Sequence, residues 1–159
     1  MRSFVAIAAA LLAATLAFGA QAQVPQYGTD INLEQARKLI VAGQAEAKKN
    51  NWPVAIAIVD NHGFLVAFDK MDGTQTASVA IALDKASSAS MYRRPTKAFQ
   101  DMVAAGGAGT RALNLRGASS VEGGLPIVVG GKIIGGIGVS GVTSDQDGVV
   151  AKAATDTMK

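Results

Sequence analysis

The pair Gly130-Gly131 constrains this chain of 159 residues more than any other feature. It separates two short runs rich in β-branched residues, Pro126 to Val129 and Lys132 to Val139, inside the stretch VEGGLPIVVGGKIIGGIGVSGVTSDQD that spans Val121 to Asp147. Consecutive glycines supply the positive φ angles of a two-residue hairpin turn, so the two runs are expected to lie antiparallel. The second run passes through Ser140-Gly141 into Thr143-Ser144-Asp145-Gln146. Thr143 with Gln146 three residues on has the form of a capping box, and Asp145 and Asp147 put negative charge at a helix N-terminus. A closing helix is therefore predicted over roughly Ser144 to Thr157. Glycines at 123, 124, 135, 136, 138 and 141 leave this backbone bare, open to close approach by a ligand or by another part of the protein.

Upstream, the chain alternates helices and hairpins. Asn32 with Gln35 resembles a capping box and opens a helix to about Asn50, with Leu33, Ala36, Ile40, Val41 and Ala47 on one face and Lys48 and Lys49 in the last turn. Val54 to Asp60 and Phe64 to Lys70 read as strands joined by a turn at Asn61-His62-Gly63. Thr76 to about Tyr92 reads as a small-residue helix presenting Ala77, Ala80, Ile81 and Ser88 to a packing partner. Pro95 interrupts it and starts a short helix to about Val103. Ala104 to Gly109 is expected to be a flexible loop, and Ala118 to Val121 is a candidate short strand. Hairpins imply an antiparallel sheet, and helices before, between and after the strands give an α/β (α+β) sandwich.

The first residues read as an export signal. Arg2 is followed by an apolar run, Phe4 to Phe18, and by Ala20-Gln21-Ala22, which has the small-x-small form of a cleavage site. The run is short for a bilayer span, and no comparable stretch follows it. The domain plan is thus a signal peptide over 1–22, a flexible leader over 23–31 and one domain over 32–159. The mature form has no membrane segment and is expected in the periplasm or outside the cell. Its basic residues are scattered, which gives no nucleic-acid footprint. There are no cysteines, so disulfides, thiolate metal sites and cysteine nucleophiles are excluded.

A strand of the VAIVD type, LVAFDKMDG, ALDKASSASMYRRPTKAF, VEGGLPIVVGGKIIGGIGVSG and SDQD, in that order, resemble the GlcG/HbpS family, which also includes the C-terminal domain of PduO-type proteins. The resemblance runs from about Leu33 to the end. It implies a profilin-like fold with about five antiparallel strands flanked by helices. It also implies homo-oligomers, from dimers to octamers, haem binding in some members, and a sensor-protein partner in one exported branch. In the haem-binding branch a threonine of the matching Pro-Thr motif lies at the haem, which here is Thr96.

Read from the residues themselves, Arg93-Arg94-Pro95-Thr96-Lys97 groups three cations at a break between helices, a pattern suited to carboxylates such as haem propionates. The competing reading is that Pro95-Thr96 only starts a helix and the arginines are solvated or paired across subunits. Glu122-Gly123-Gly124, with the backbone from Gly138 to Gly141, is the expected pocket wall. Glu122 also reads as a general base or as a structural partner of Arg93, Arg94 or Arg116, in a network that takes in Asp84 and Lys85. His62, the one histidine, is an iron-ligand candidate beside Thr96, but its turn position favours exposure to water. Met71, Met91, Met102, Tyr92 and Tyr27 are weaker candidates, since methionines at such positions usually fill a core and Tyr27 falls in the leader.

The leading expectation is an exported small-ligand-binding protein for haem or a similar planar anion, without catalysis of its own. The rivals are a small-molecule enzyme or metabolite sensor in organic-acid catabolism using Glu122 and Arg94, and a structural or partner-binding oligomer. Cleavage after Ala22 leaves 137 residues and removes Arg2, so that 14 basic residues face 12 acidic ones at net charge +2. Intact-mass analysis of the exported protein is expected to place Gln23 at its N-terminus; a mass that retains Arg2 refutes the signal.

Overall fold

A computed structural model of the chain describes residues 24–158, and the expected signal peptide lies outside the described residues. The elements are β1 (Gln26–Tyr27), α1 (Leu33–Lys49), β2 (Ala55–Val59), β3 (Leu65–Lys70), α2 (Ser78–Tyr92), α3 (Lys97–Ala104), a 3-10 helix (Gly107–Asn114), β4 (Gly124–Val129), β5 (Lys132–Ser140), α4 (Ser144–Thr155) and a 3-10 turn (Asp156–Met158). β5 is the spine of the sheet. It pairs antiparallel with β4 along one edge and with β2 along the other, and β2 carries β3. The β4–β5 turn uses Gly130 and Gly131 at φ 56° and 74°, the conformation that two glycines permit.

The five-stranded α+β architecture is as expected, with one difference. β1 runs parallel to β5, Gln26 beside Lys132 and Tyr27 beside Ile133, so the sheet is mixed. The leader read as flexible is therefore tied down from Gln26 onward, and Gly28 N–H and Ile31 N–H extend the tie to the carbonyls of Ile133 and Ile134, each at 2.7 Å. Its sequence carries no periodicity because two residues of pairing are too few to produce any.

Alternation along the central strands decides which helix covers which face. Ile56 and Ile58 of β2 stand opposite Val139 and Ile137 of β5, and these large side chains pack with Leu39, Ile40, Val150 and Ala154 of α1 and α4. Each such side chain contributes about 1.5–3 kcal/mol through its removal from water. The other face is small throughout. Ala57 and Val59 stand opposite Gly138 and Gly136, and this face meets Ala82 and Ala86 of α2. With no side chain between them, the helix main chain rests on the strand main chain. A Cβ at Gly138 would collide with the Ala82 carbonyl, and one at Gly136 with the Ala86 carbonyl.

Several sequence expectations shift. The buried stripe of α1 is Ala36, Leu39, Ile40, Gly43 and Ala47, which leaves Leu33 and Val41 exposed. The buried residues of α2 are Ser78, Ala82, Lys85, Ala86, Ser88, Ala89 and Ser90, so Ser88 packs as expected while Ala77 and Ala80 lie outside. A helix this rich in small residues gives little hydrophobic contrast, and a lysine inside the stripe conceals it further. Ala104 to Gly109 is no loop, since α3 closes at Ala104 and the 3-10 helix begins at Gly107. Ala118 to Val121 forms no strand; Ser119 N–H instead donates to Ser88 Oγ at 3.0 Å, which ties this segment to α2.

Because the obstacle at Gly138 is backbone, Gly138→Ala is expected to cost about 3 kcal/mol or more, the upper end for overpacking. Gly131→Asn, in a turn with open space around the would-be Cβ, is expected to cost less than about 1 kcal/mol, since Asn tolerates this backbone conformation. Urea denaturation of the two variants checks the contrast.

Candidate functional site at the end of the middle helix

α2 ends in a Schellman arrangement. Arg93 N–H donates to Ser90 C=O at 3.2 Å and Arg94 N–H to Ala89 C=O at 3.3 Å, with Arg93 at φ 54°, ψ 38°. That position normally falls to glycine, because a side chain in the left-handed region is strained. A residue held there against its preference points to a function for its side chain. The Arg93 guanidinium lies over the Tyr27 ring, Cζ 5.6 Å from the centroid. The Arg94 guanidinium lies 5.6 Å from the centroid of Phe99, a buried ring set edge-on to Tyr92. Arg94 Nε also donates to Tyr92 C=O at 3.2 Å. Among the described residues neither guanidinium is ion-paired with a carboxylate.

Thr96 and Gly124 adjoin this bend, as the sequence reading requires, but they are joined to each other. Thr96 N–H donates to Gly124 C=O and Gly124 N–H donates to Thr96 Oγ1, both at 3.0 Å, and Thr96 is fully buried. Its hydroxyl fastens α3 to β4 and does not face a guest, which removes it from the expected iron ligands of the single chain. The expected pocket wall is also occupied. A Cβ at Gly124 would meet the Lys85 carbonyl and Thr96 Cγ2, and one at Gly141 the Pro53 carbonyl. Gly124, Gly138 and Gly141 make room for the protein's own main chain.

Gly123, at φ 123°, covers a buried ion pair that the sequence reading missed. Lys85 and Asp147 have side chains only 1% and 3% exposed and meet at 2.8 Å. Lys85 Nζ donates also to Val139 C=O at 2.9 Å, and Asp147 Oδ1 accepts from Val142 N–H at 3.3 Å. The sequence places Lys85 in a network, but with Glu122. Removal from water pushes the Asp147 carboxyl above its ordinary value, against the opposing pull of Lys85 and of the Val142 and Gly141 N–H groups. Glu122 remains partly exposed, with its carboxylate 4.0 Å from Lys97 Nζ and its N–H donating to Gln100 Oε1 at 2.8 Å. It pairs with none of Arg93, Arg94 and Arg116.

His62 is exposed on the β2–β3 turn, its Nδ1 3.9 Å from Asp30 Oδ2. Asp30, Asp60 and His62 each bring one ligand atom within 4.8 Å of the others. One oxygen of each aspartate is engaged by the turn itself, Asp30 Oδ1 accepting from Asn61 N–H and Asp60 Oδ1 from His62 and Phe64 N–H. Ser90 Oγ donates to Asp60 C=O at 2.7 Å and Ser87 Oγ to Gly63 C=O at 3.0 Å, so this turn is pinned to the end of α2. An apolar groove of about 740 Å³, lined by Leu33, Val41 and Met158 among others, lies against α1 on the opposite face of the sheet.

Chemically, the end of α2 offers two guanidiniums without a carboxylate partner among the described residues, groups whose N–H forks can pair with carboxylates. The layout is that of a small α+β domain with a cationic helix end. The chain belongs to the HbpS-like family, described as haem-degrading proteins, whose model matches residues 31–156. The GlcG protein of Escherichia coli K12 is 44% identical over 110 residues, 69% of this chain and 81% of that protein. A double mutant of HbpS from Streptomyces reticuli superposes with a TM-score of 0.76 at 27% identity, over 89% of this chain and 95% of that one. The PduOC:heme complex superposes at 0.74 with 25% identity, over 82% and 96%. Family and haem-complexed neighbour together support a haem-related binding role.

The buried pair gives a stability test. Lys85→Met leaves Asp147 without its counter-charge and is expected to cost about 3–5 kcal/mol, most of it recovered in Lys85→Met/Asp147→Leu. A carboxyl whose folded pKa is raised contributes stability that is full below its unfolded value of 3.8 and fades as pH rises through the folded value. The wild type is therefore expected to lose stability relative to the double variant as pH rises through that window. Urea titrations from pH 3.5 upward measure the difference; a relative gain with rising pH contradicts it.

Proposed function

We propose that this chain is an exported binding protein for haem or a similar planar anion, without catalysis of its own, and that Arg93 and Arg94 hold the ligand's carboxylates. The observation that carries the reading is the pair of guanidiniums, each seated on an aromatic ring, neither matched by a carboxylate among the described residues, one of them on strained backbone. Haem fits this element at its propionate edge, where guanidinium forks pair with carboxylates in bidentate fashion. It does not fit Thr96, whose hydroxyl is buried and engaged, so no iron ligand is assigned there. The ligand lies on open surface beside exposed Met91, and a second copy of the chain completes the enclosure. The mature protein works in the periplasm or outside the cell.

Titration of the mature protein with haemin is expected to give a saturable Soret change. Arg93→Gly/Arg94→Ala is expected to weaken it at least 10-fold, about 1.4 kcal/mol and within the range of one charge-assisted hydrogen bond. Arg93→Gly alone relieves the left-handed strain, so its melting temperature is expected to equal or exceed that of the wild type while affinity falls. This separates a binding role from a folding one, and unchanged affinity in the double variant defeats the proposal. The family's description as haem-degrading favours one second reading. Under it, the Soret band of the complex decays with time when a reductant is supplied in air-saturated buffer, dioxygen being the oxidant; a stable band leaves binding alone.

A further inference from the structure

Tyr27 lies outside the family match, which begins at residue 31, and in the segment that the sequence reads as a loose leader. Its position is nonetheless fixed from two directions. The β1–β5 pairing holds its backbone beside Ile133. Its hydroxyl, which the strand carries over to the end of α2, shares its one proton between the carbonyls of Ser90 and Met91, each 3.0 Å away. Those are two of the last four α2 carbonyls, the groups that a helix leaves without partners. Above the same ring sits the guanidinium of Arg93. One side chain thus closes the helix terminus through its hydroxyl and supports the neighbouring cation through its face.

We infer that Tyr27 is a positioning residue for Arg93, and that the leader strand is therefore part of the anion-binding unit and not a tether to it. The inference rests on the proposed role of Arg93. Its physical basis is that a guanidinium free of any carboxylate partner otherwise samples many rotamers, each costing entropy when a ligand is bound. A ring within about 6 Å limits that freedom and leaves the N–H edge to an acceptor. The hydroxyl adds a second effect. By occupying the Ser90 and Met91 carbonyls it removes acceptors that would otherwise draw the guanidinium back onto the helix end.

The test is a double-mutant cycle on haemin affinity in the full mature chain, with Tyr27→Phe, Tyr27→Leu, Arg93→Gly and the combined Tyr27→Leu/Arg93→Gly. Tyr27→Phe keeps the ring and is expected to lower affinity less than 3-fold. Tyr27→Leu removes ring and hydroxyl and is expected to lower it about 5–10-fold, but to have no further effect once Arg93 is glycine. A merely structural tyrosine weakens binding equally in both backgrounds, and that additivity overturns the inference, as does full affinity in Tyr27→Leu. If Arg93→Gly leaves haemin affinity unchanged, the proposed role of Arg93 in ligand binding fails. The Arg93 Nε–H resonance of the free protein then decides the packing claim separately, since it moves in Tyr27→Leu and stays in Tyr27→Phe only if the ring carries the guanidinium.

Discussion

The contact on which the rest of this molecule depends is main chain against main chain. α2 lies on β5 at Gly136 and Gly138 and on β4 at Gly124, at a separation that excludes even a methyl group. Hydrophobic burial alone does not specify such a contact, since larger side chains on both partners would bury more area. What it provides is position. A helix resting on backbone cannot rotate or slide without striking a carbonyl, and dense packing on this scale transmits even small displacements. The opposite face, built of Ile56, Ile58, Ile137 and Val139 against α1 and α4, supplies the bulk of the apolar burial. The two faces divide the work, one providing cohesion and the other registration.

Registration explains why a lysine and an aspartate sit where almost no water reaches. With α2 pressed against the sheet, Lys85 emerges beneath Gly123, level with Val139 C=O and with Asp147 in the first turn of α4. The pair spans the three elements whose mutual placement matters most. Ion pairs of this kind contribute little net stability over apolar substitutes, but a shift in register would leave a charge buried without its partner. Thr96 performs the same task with neutral groups, its reciprocal hydrogen bonds to Gly124 fixing where α3 departs from the bend. Arg93 and Arg94 stand between these two fastenings in the chain.

The architecture was legible in the sequence wherever one local rule sufficed. The Gly130-Gly131 turn, the Asn32/Gln35 and Thr143/Gln146 capping boxes and the period-2 strands all have the form that the residues dictate. The candidate site was half legible. The cation cluster and its adjacency to Gly124 could be read, but the use made of the glycines could not, because a glycine that admits a ligand and one that admits a neighbouring carbonyl are the same in sequence. Nothing local announces that Arg93 takes the left-handed position usually given to glycine. Nor does anything announce that Lys85 lies in the buried stripe of α2, since its counter-charge is 62 positions away. Tyr27 was discounted for want of periodicity, and its side-chain contacts with Ser90, Met91 and Arg93 are all with residues far along the chain.

A helix C-terminus is a counterintuitive place for an anion, since the macrodipole there carries partial negative charge and favours cations. The arrangement at the end of α2 resolves the conflict through its hydrogen bonds. The carbonyl of Ala89 accepts from Arg94 N–H, that of Ser90 from Arg93 N–H and the Tyr27 hydroxyl, that of Met91 from the same hydroxyl, and that of Tyr92 from Arg94 Nε. All four terminal carbonyls are thereby satisfied, and the Arg93 guanidinium is required by none of them. The negative helix end favours the presence of the two cations, while its acceptors take one N–H from the Arg94 guanidinium and none from that of Arg93. A surface built this way holds positive charge in place and leaves it open to an external carboxylate. That separation of attraction from neutralisation is what distinguishes a binding element from an ordinary capped helix.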